Sequence, residues 1–233
     1  MRILSSFRAM ADPRVLFYFA DPMCSWCWGF APTVERIQQQ FGDELLLVLV
    51  LAGLRPAEAV PLDASTRKDV LAHWDHVAAA SGQPFARDAI RREGFVYDTE
   101  PACRAVVTAR TLGRAEQDEG VGLRMLRATQ QAFYAEGRDV TDGGVLADVA
   151  ASIGLDRAEF VDAVSSVDAR EATYRDFVQT RSFGVHAFPT LIAASADEAL
   201  PIATGFASYD EVEAQLRAFL AGVPSAVAAG APA

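Results

Sequence analysis

Apolar residues along this chain fall into two kinds of pattern. Residues 14–20 (Arg-Val-Leu-Phe-Tyr-Phe-Ala) and 45–51 (Leu-Leu-Leu-Val-Leu-Val-Leu) are short, nearly unbroken apolar runs. Such runs predict strands buried on both faces. Between them Val34, Ile37 and Phe41 recur at helical spacing and Gly42 supplies a stop, so the segment reads as a βαβ unit. Its strand-to-helix turn falls at Asp21-Pro22-Met23-Cys24. From about Ser65 the pattern is helical for over 100 residues. Val70, Leu71, Trp74 and Val77 mark one apolar stripe. Thr99-Glu100-Pro101 predicts a helix start with a capping hydroxyl, and Gly113 its end. Leu123, Met125, Leu126 and Phe133 predict a third helix reaching Gly137; Val145, Leu146, Val149 and Ile153 a fourth, ended by Gly154. Asp156 with Glu159 predicts a capping-box start for a fifth, and Tyr174, Phe177 and Val178 mark a sixth. Strand pattern returns at 188–193 and 200–204. Ser208 with Glu211 then predicts a capping box ahead of Val212, Leu216, Phe219 and Leu220. The expected class is α/β, a sheet domain interrupted by an all-helical insertion.

Composition narrows the partners. The 233 residues are 51% apolar, enough for a packed core without disulfide staples. A net charge of −10 argues against nucleic acid and anionic membrane as principal partners. No stretch approaches the roughly 18 apolar residues of a membrane span. The N-terminal Met-Arg-Ile-Leu-Ser-Ser-Phe-Arg lacks the apolar core and cleavage site of a secretory signal, so a cytoplasmic location is expected.

Three cysteines are present, Cys24, Cys27 and Cys103, too few for a disulfide framework. Cys24 and Cys27 form a Cys-x-x-Cys at the start of the first predicted helix. A cysteine there faces unpaired backbone N–H groups and the positive end of the helix dipole, and both favour thiolate. Cys24 is expected to be the attacking thiolate and Cys27, one turn on, the resolving thiol. Beside a βαβ pattern this spacing is a redox signature. Trp26 and Trp28 offer an apolar platform for a thiol-bearing partner, or else belong to the core. His73 and His76 could join the pair in a zinc site, but 45 residues separate Cys27 from His73, against roughly 12–15 in compact zinc sites. No metal is expected. Cys103 reads either as a small buried hydrophobe or as a third redox thiol.

Residues 17–32 (Phe-Tyr-Phe-Ala-Asp-Pro-Met-Cys-Ser-Trp-Cys-Trp-Gly-Phe-Ala-Pro), the helical block, and residues 185–191 (Val-His-Ala-Phe-Pro-Thr-Leu) carry a resemblance. Over roughly residues 14–221 the chain resembles the DsbA-like branch of thioredoxin-fold oxidoreductases, and within it the cytoplasmic bacterial protein-disulfide isomerases. The resemblance implies a discontinuous thioredoxin-like domain (14–54 and 184–221), a helical insertion domain (55–183) and flexible tails (1–13 and 222–233). It makes Pro189 the family's cis-proline, and Phe188, Pro189 and Trp26 the substrate-holding residues. Thioredoxin-fold oxidoreductases often bury an acid six residues before the first cysteine, where this chain has Tyr18. Asp21 is the nearest carboxylate, and His186 stands three residues before Pro189. Each is a candidate modulator, or alternatively a plain Asp-Pro turn and a plain loop histidine. The implied activity is thiol–disulfide exchange with protein or small-molecule partners, without a bound cofactor and with glutathione as a redox partner. Two alternatives stay open. One is a glutathione-dependent isomerase or transferase of the 2-hydroxychromene-2-carboxylate isomerase or kappa type, whose isomerase members typically carry Ser at the position of Cys24. The other is a non-enzymatic protease adaptor.

Overall fold

Strands β1 (Val15–Ala20) and β2 (Leu46–Leu51) run parallel, with Val15 opposite Leu46 and Ala20 opposite Leu51. Helix α1 (Ser25–Phe41) makes the crossover between them. On its other side β1 takes β3 (Thr190–Ala194) antiparallel, and β4 (Ala199–Thr204) pairs beyond it, giving the order β2-β1-β3-β4. This computed structural model describes residues 14–196 and 198–222. Apart from Gly222, the expected tails lie outside the described residues. Thr190 stands opposite Phe19, so the chain entering β3 arrives beside the turn that leaves β1. That register brings Pro189 to the start of α1.

Side-chain alternation sorts β1 between two cores. Leu16 and Tyr18 join the main core with α1, while Phe17 and Phe19 face Val48, Val50, Val185 and Ile192 on the other side of the sheet. Eight helical elements separate β2 from β3: α2 (Ala64–Ser81), the short α3 (Asp88–Arg91), α4 (Glu100–Ala115), α5 (Val121–Gln130) with a π turn (Gln131–Ala135), α6 (Gly143–Ser152), α7 (Arg157–Ser165) and α8 (Val167–Ser182). Helix α9 (Tyr209–Leu220) follows β4. Small side chains let α4 run through the interior, where Ala102, Cys103, Ala105, Val106, Val107 and Ala109 are fully buried. Among the described residues no helix is long and apolar enough to cross a membrane.

The capping pattern is partly as expected. Asp156 accepts from the Glu159 N–H, and Ser208 with Glu211 forms the reciprocal box. Thr99 does not cap α4; its Oγ1 accepts the Arg55 N–H at 3.1 Å instead. Gly113 does not end that helix, which continues to Ala115. It is needed for closeness, because a Cβ there would come within 2.6 Å of the Asp118 carbonyl and Val121. In α8, Tyr174 and Val178 are 50% and 57% exposed. The buried face carries Thr173, Asp176, Phe177 and Thr180 instead.

Asp176 explains that choice of face. Its carboxylate takes both arms of Arg110 (2.8 and 2.9 Å) and the Leu51 N–H (2.9 Å). Arg110 also donates to the Leu49 carbonyl at 2.7 Å, and Thr180 donates to the Leu51 carbonyl at 3.0 Å. Just beyond β2, Gly53 takes a left-handed conformation (φ +65°), and the Phe177 ring lies 2.9 Å from where a Cβ would stand. Gly53→Ala is expected to lower stability by about 2 kcal/mol, through the left-handed backbone and overpacking together. A reduced urea midpoint at unchanged slope would show it.

Candidate functional site

The break at Asp21-Pro22 turns the chain out of β1, and the Asp21 carbonyl accepts the Cys24 N–H at 3.1 Å. Cys24 is the N-cap of α1, in an extended conformation (φ −89°, ψ 116°), and its carbonyl accepts the Trp28 N–H at 3.1 Å. Its side chain makes no cap hydrogen bond to the helix. Cys24 Sγ lies 3.7 Å from the Phe188 carbonyl oxygen, to which it donates. It is 6% exposed, whereas Cys27 is fully buried. All three cysteines are free thiols. Burial pushes the Cys27 thiol well above its ordinary range, and its hydrogen bond with Cys24 pushes the same way. The pair is therefore asymmetric: one sulfur at the mouth, and beneath it a thiol that holds its proton.

The Phe188–Pro189 bond is cis, as the resemblance implied. The Pro189 carbonyl is taken by the Gly205 N–H (2.7 Å), while the Phe188 carbonyl points at Cys24. A cleft of about 580 Å³ opens here, lined by Cys24, Trp26, Arg55, His73, His186 and Phe188. His186 is exposed on its rim. Half-buried Trp26 meets His73 and His76 edge-on (ring centroids 5.9 and 5.5 Å) and Phe206 at 5.2 Å. The two histidines thus flank this indole. Partial burial holds His73 below the usual imidazole range, with His76 adding to the effect. Trp28 belongs to the core: it is 1% exposed, stacks on Tyr134 at 6.2 Å, and donates Nε1–H to the Pro84 carbonyl.

A polar floor lies under the turn. Asp21 is fully buried; its Oδ1 accepts the Met23 N–H (2.8 Å) and its Oδ2 the Leu54 N–H (2.7 Å). Cys103, fully buried in α4, donates its thiol to Asp21 Oδ2 at 3.4 Å. Burial raises the Asp21 carboxyl above its ordinary value, against the pull of these hydrogen bonds and of Thr99. Burial and the Asp21 charge raise the Cys103 thiol well above its own. Tyr97 donates its hydroxyl to the Met23 carbonyl at 2.7 Å, and Arg55 lies 5.2 Å over the Tyr97 ring. Tyr18 is buried and its phenol is pushed well up by desolvation.

The structure thus brings Cys24, Cys27, Trp26, Asp21, Phe188 and Pro189 together, with His186 at the edge. Sequence reasoning missed Arg55, Tyr97, Thr99 and Phe206. For Tyr97 and Thr99 the only local signal is the Tyr-Asp-Thr that precedes a helix start; Arg55 and Phe206 have none, and nothing there points to the cysteines.

Residues 14–217 match the DSBA-like thioredoxin domain. The chain belongs to that family. Among solved members of the fold, a Nitrosomonas europaea protein provisionally named a protein disulfide isomerase is 34% identical, with a TM-score of 0.81 over 90% of this chain and 98% of that one. The cytosolic disulfide reductase DsbM of Pseudomonas aeruginosa is 27% identical, with a TM-score of 0.72 over 90% of this chain and all of that one (100%). DsbM has also been solved with glutathione. The ClpXP adapter protein SpxH of Bacillus subtilis is 26% identical over 91% of this chain and 69% of its own length. In the Halalkalibacterium halodurans SpxH the match covers 77% of this chain and 58% of the relative. This chain thus spans about six tenths of the curated relatives it matches. As a DSBA-like thioredoxin-fold protein it stands among disulfide oxidoreductases in structure and beside protease adapters in sequence.

Proposed function

We propose that the protein is a cytoplasmic thiol–disulfide oxidoreductase that works as a reductase or isomerase. The observation that carries this reading is the placement of Cys24. It sits at a helix N-cap, beside the Phe188 carbonyl and a cis-proline, above a buried Cys27 that keeps its proton. The Cys24 thiolate attacks a substrate disulfide, forming a mixed disulfide and releasing the first substrate thiolate. Cys27 then loses its proton and attacks Cys24 Sγ. The second substrate thiolate leaves, and the Cys24–Cys27 disulfide retains the oxidation. Once Cys24 no longer donates to it, the Phe188 carbonyl can take a backbone N–H of the partner chain. Glutathione or a protein dithiol returns the pair to the reduced state, and no bound cofactor takes part. The likeness to DsbM supports both the reducing direction and glutathione as partner. Equilibration against defined glutathione mixtures, with the thiols counted by mass, tests the reading. A reversible couple near −250 mV or lower is expected. A couple near −120 mV would mark an oxidant, and failure to form an intramolecular disulfide would overturn the redox reading.

Trp26 provides the apolar wall for the residue next to the substrate cysteine. Trp26→Ala is expected to raise KM for a peptide disulfide about tenfold, equivalent to about 1.4 kcal/mol, with kcat nearly unchanged. A loss confined to kcat would remove the indole from substrate binding.

The similarity to SpxH favours a second reading, an adaptor that presents a protein to a protease. Under the redox reading, partner capture disappears when both Cys24 and Cys27 become serine. Under the adaptor reading it persists.

A further inference from the structure

A second cavity, of about 560 Å³, lies along α1 and α5, within the usual range of small-molecule sites. Ala31 and Val34 of α1, Leu123 and Leu126 of α5, and Ile153 give it apolar walls, and the buried Tyr18 lines it from the sheet. It shares no lining residue with the cleft of Cys24, so what it binds is independent of the exchange reading.

Two polar side chains set this cavity apart. Arg127 and Gln130 stand one turn apart on the same face of α5, and both line it. Arg127 pairs through Nε with Glu35 at 3.0 Å and lays its guanidinium 5.3 Å over the Trp28 ring. Its Nη1 is buried and, among the described residues, finds no hydrogen-bond partner. Gln130 is 1% exposed, and its Nε2 finds none either. Buried donors are nearly always matched, because leaving one unpaired forfeits its hydration for nothing in return. A methionine at position 130 would occupy similar space without that cost, so the amide points to an acceptor from outside the chain.

Charge decides which acceptor. Both arginines on the lining already face a carboxylate, Arg127 that of Glu35 and Arg124 that of Asp118 at 2.6 Å. Tyr18 keeps its proton. An entering anion would meet no unpaired cation to offset its desolvation. A carbonyl oxygen brings no charge and has two lone pairs for N–H donors.

We propose that this cavity binds a compact, neutral, mainly apolar molecule that carries a carbonyl group. Its hydrocarbon part packs on Val34, Leu123 and Ile153, and its oxygen accepts from Arg127 Nη1 and Gln130 Nε2. The step is binding alone, with no bond made or broken.

Calorimetric titration of the full chain with 1-tetralone, a two-ring ketone, tests this, with tetralin-1-carboxylate as the matched anion. The ketone is expected to bind one to one with a dissociation constant below about 1 mM, and the carboxylate at least about tenfold more weakly. Gln130→Met removes the unpaired donor at similar volume and should weaken the ketone about tenfold. Leu123→Trp fills the cavity from a half-buried position and should abolish binding, while alkylation of Cys24 by iodoacetamide stays within about twofold of native. A carboxylate that binds as tightly as the ketone overturns the proposal. So does native ketone affinity in Gln130→Met or in Leu123→Trp. The absence of saturable binding, the result expected of a cavity that holds only water, overturns it too. Should Gln130→Met not fold, the ketone against the carboxylate on the native chain, together with Leu123→Trp, decides.

Discussion

Replacing Cys24 by serine is expected to lower the rate of thiol exchange about a thousandfold or more, equivalent to about 4 kcal/mol of barrier. Serine keeps the N-cap geometry but carries no thiolate at pH 7, and Cys27 cannot substitute for it. Cys27 is fully buried and its thiol holds its proton. Cys27→Ser should behave differently. Attack by Cys24 survives, but the reaction stops at the mixed disulfide, which accumulates as a covalent adduct of protein and substrate. Intact mass of the two variants after a disulfide challenge checks both statements. Equal adduct formation by both variants would mean that Cys27 can reach substrate, contrary to its burial.

The largest expected effect on stability lies away from the sulfurs. Asp176→Ala is expected to cost about 3–5 kcal/mol, because it strands the guanidinium of Arg110 in a nearly buried position and leaves the Leu51 N–H without its acceptor. Removing one partner of a buried pair is far more damaging than removing both. The double change Arg110→Met with Asp176→Leu should therefore recover only the part of the loss that comes from the stranded charge. The Leu51 N–H stays without its acceptor, and the Leu49 carbonyl loses its donor as well. Urea unfolding of the two variants beside the native chain measures this. A single-variant loss under about 1 kcal/mol would show that water screens the pair as it does at a surface.

Much of the frame was legible because it rests on local signals. The runs at 14–20 and 45–51 are apolar enough to be buried whichever way they turn, and both are strands. Ser208 with Glu211 describes a helix start within four residues, and the box is there. Signals of partner choice were not legible. Thr99 has the residue type and position of a cap, yet Arg55 takes its hydroxyl. Tyr174 and Val178 have the polarity of core residues, yet the buried side of α8 is set by Asp176, which only Arg110 and the edge of β2 make favourable. The site divides the same way. Cys24, Cys27 and Pro189 stand in short motifs. The link between Asp21 and Cys103 spans 82 residues and depends on the depth at which α4 crosses the interior. Trp26 and Trp28 stand on either side of Cys27 in sequence, and the turn of α1 sends one to the cleft and the other to Tyr134.

The two margins of the sheet have a bearing on the company such a protein keeps. Along β2 the outward Leu49 carbonyl and the Leu51 N–H and carbonyl are occupied by Arg110, Asp176 and Thr180. Along β4 the chain carries Pro201, which has no N–H to offer. Extended, unfolded polypeptides template onto free strand margins, and sheet proteins that meet them are drawn into aggregates unless those margins are blunted. With several of these groups unavailable, a client chain under the proposed exchange reading would pair at Phe188, 3.7 Å from the sulfur, rather than along the margins, and would leave once the exchange is complete.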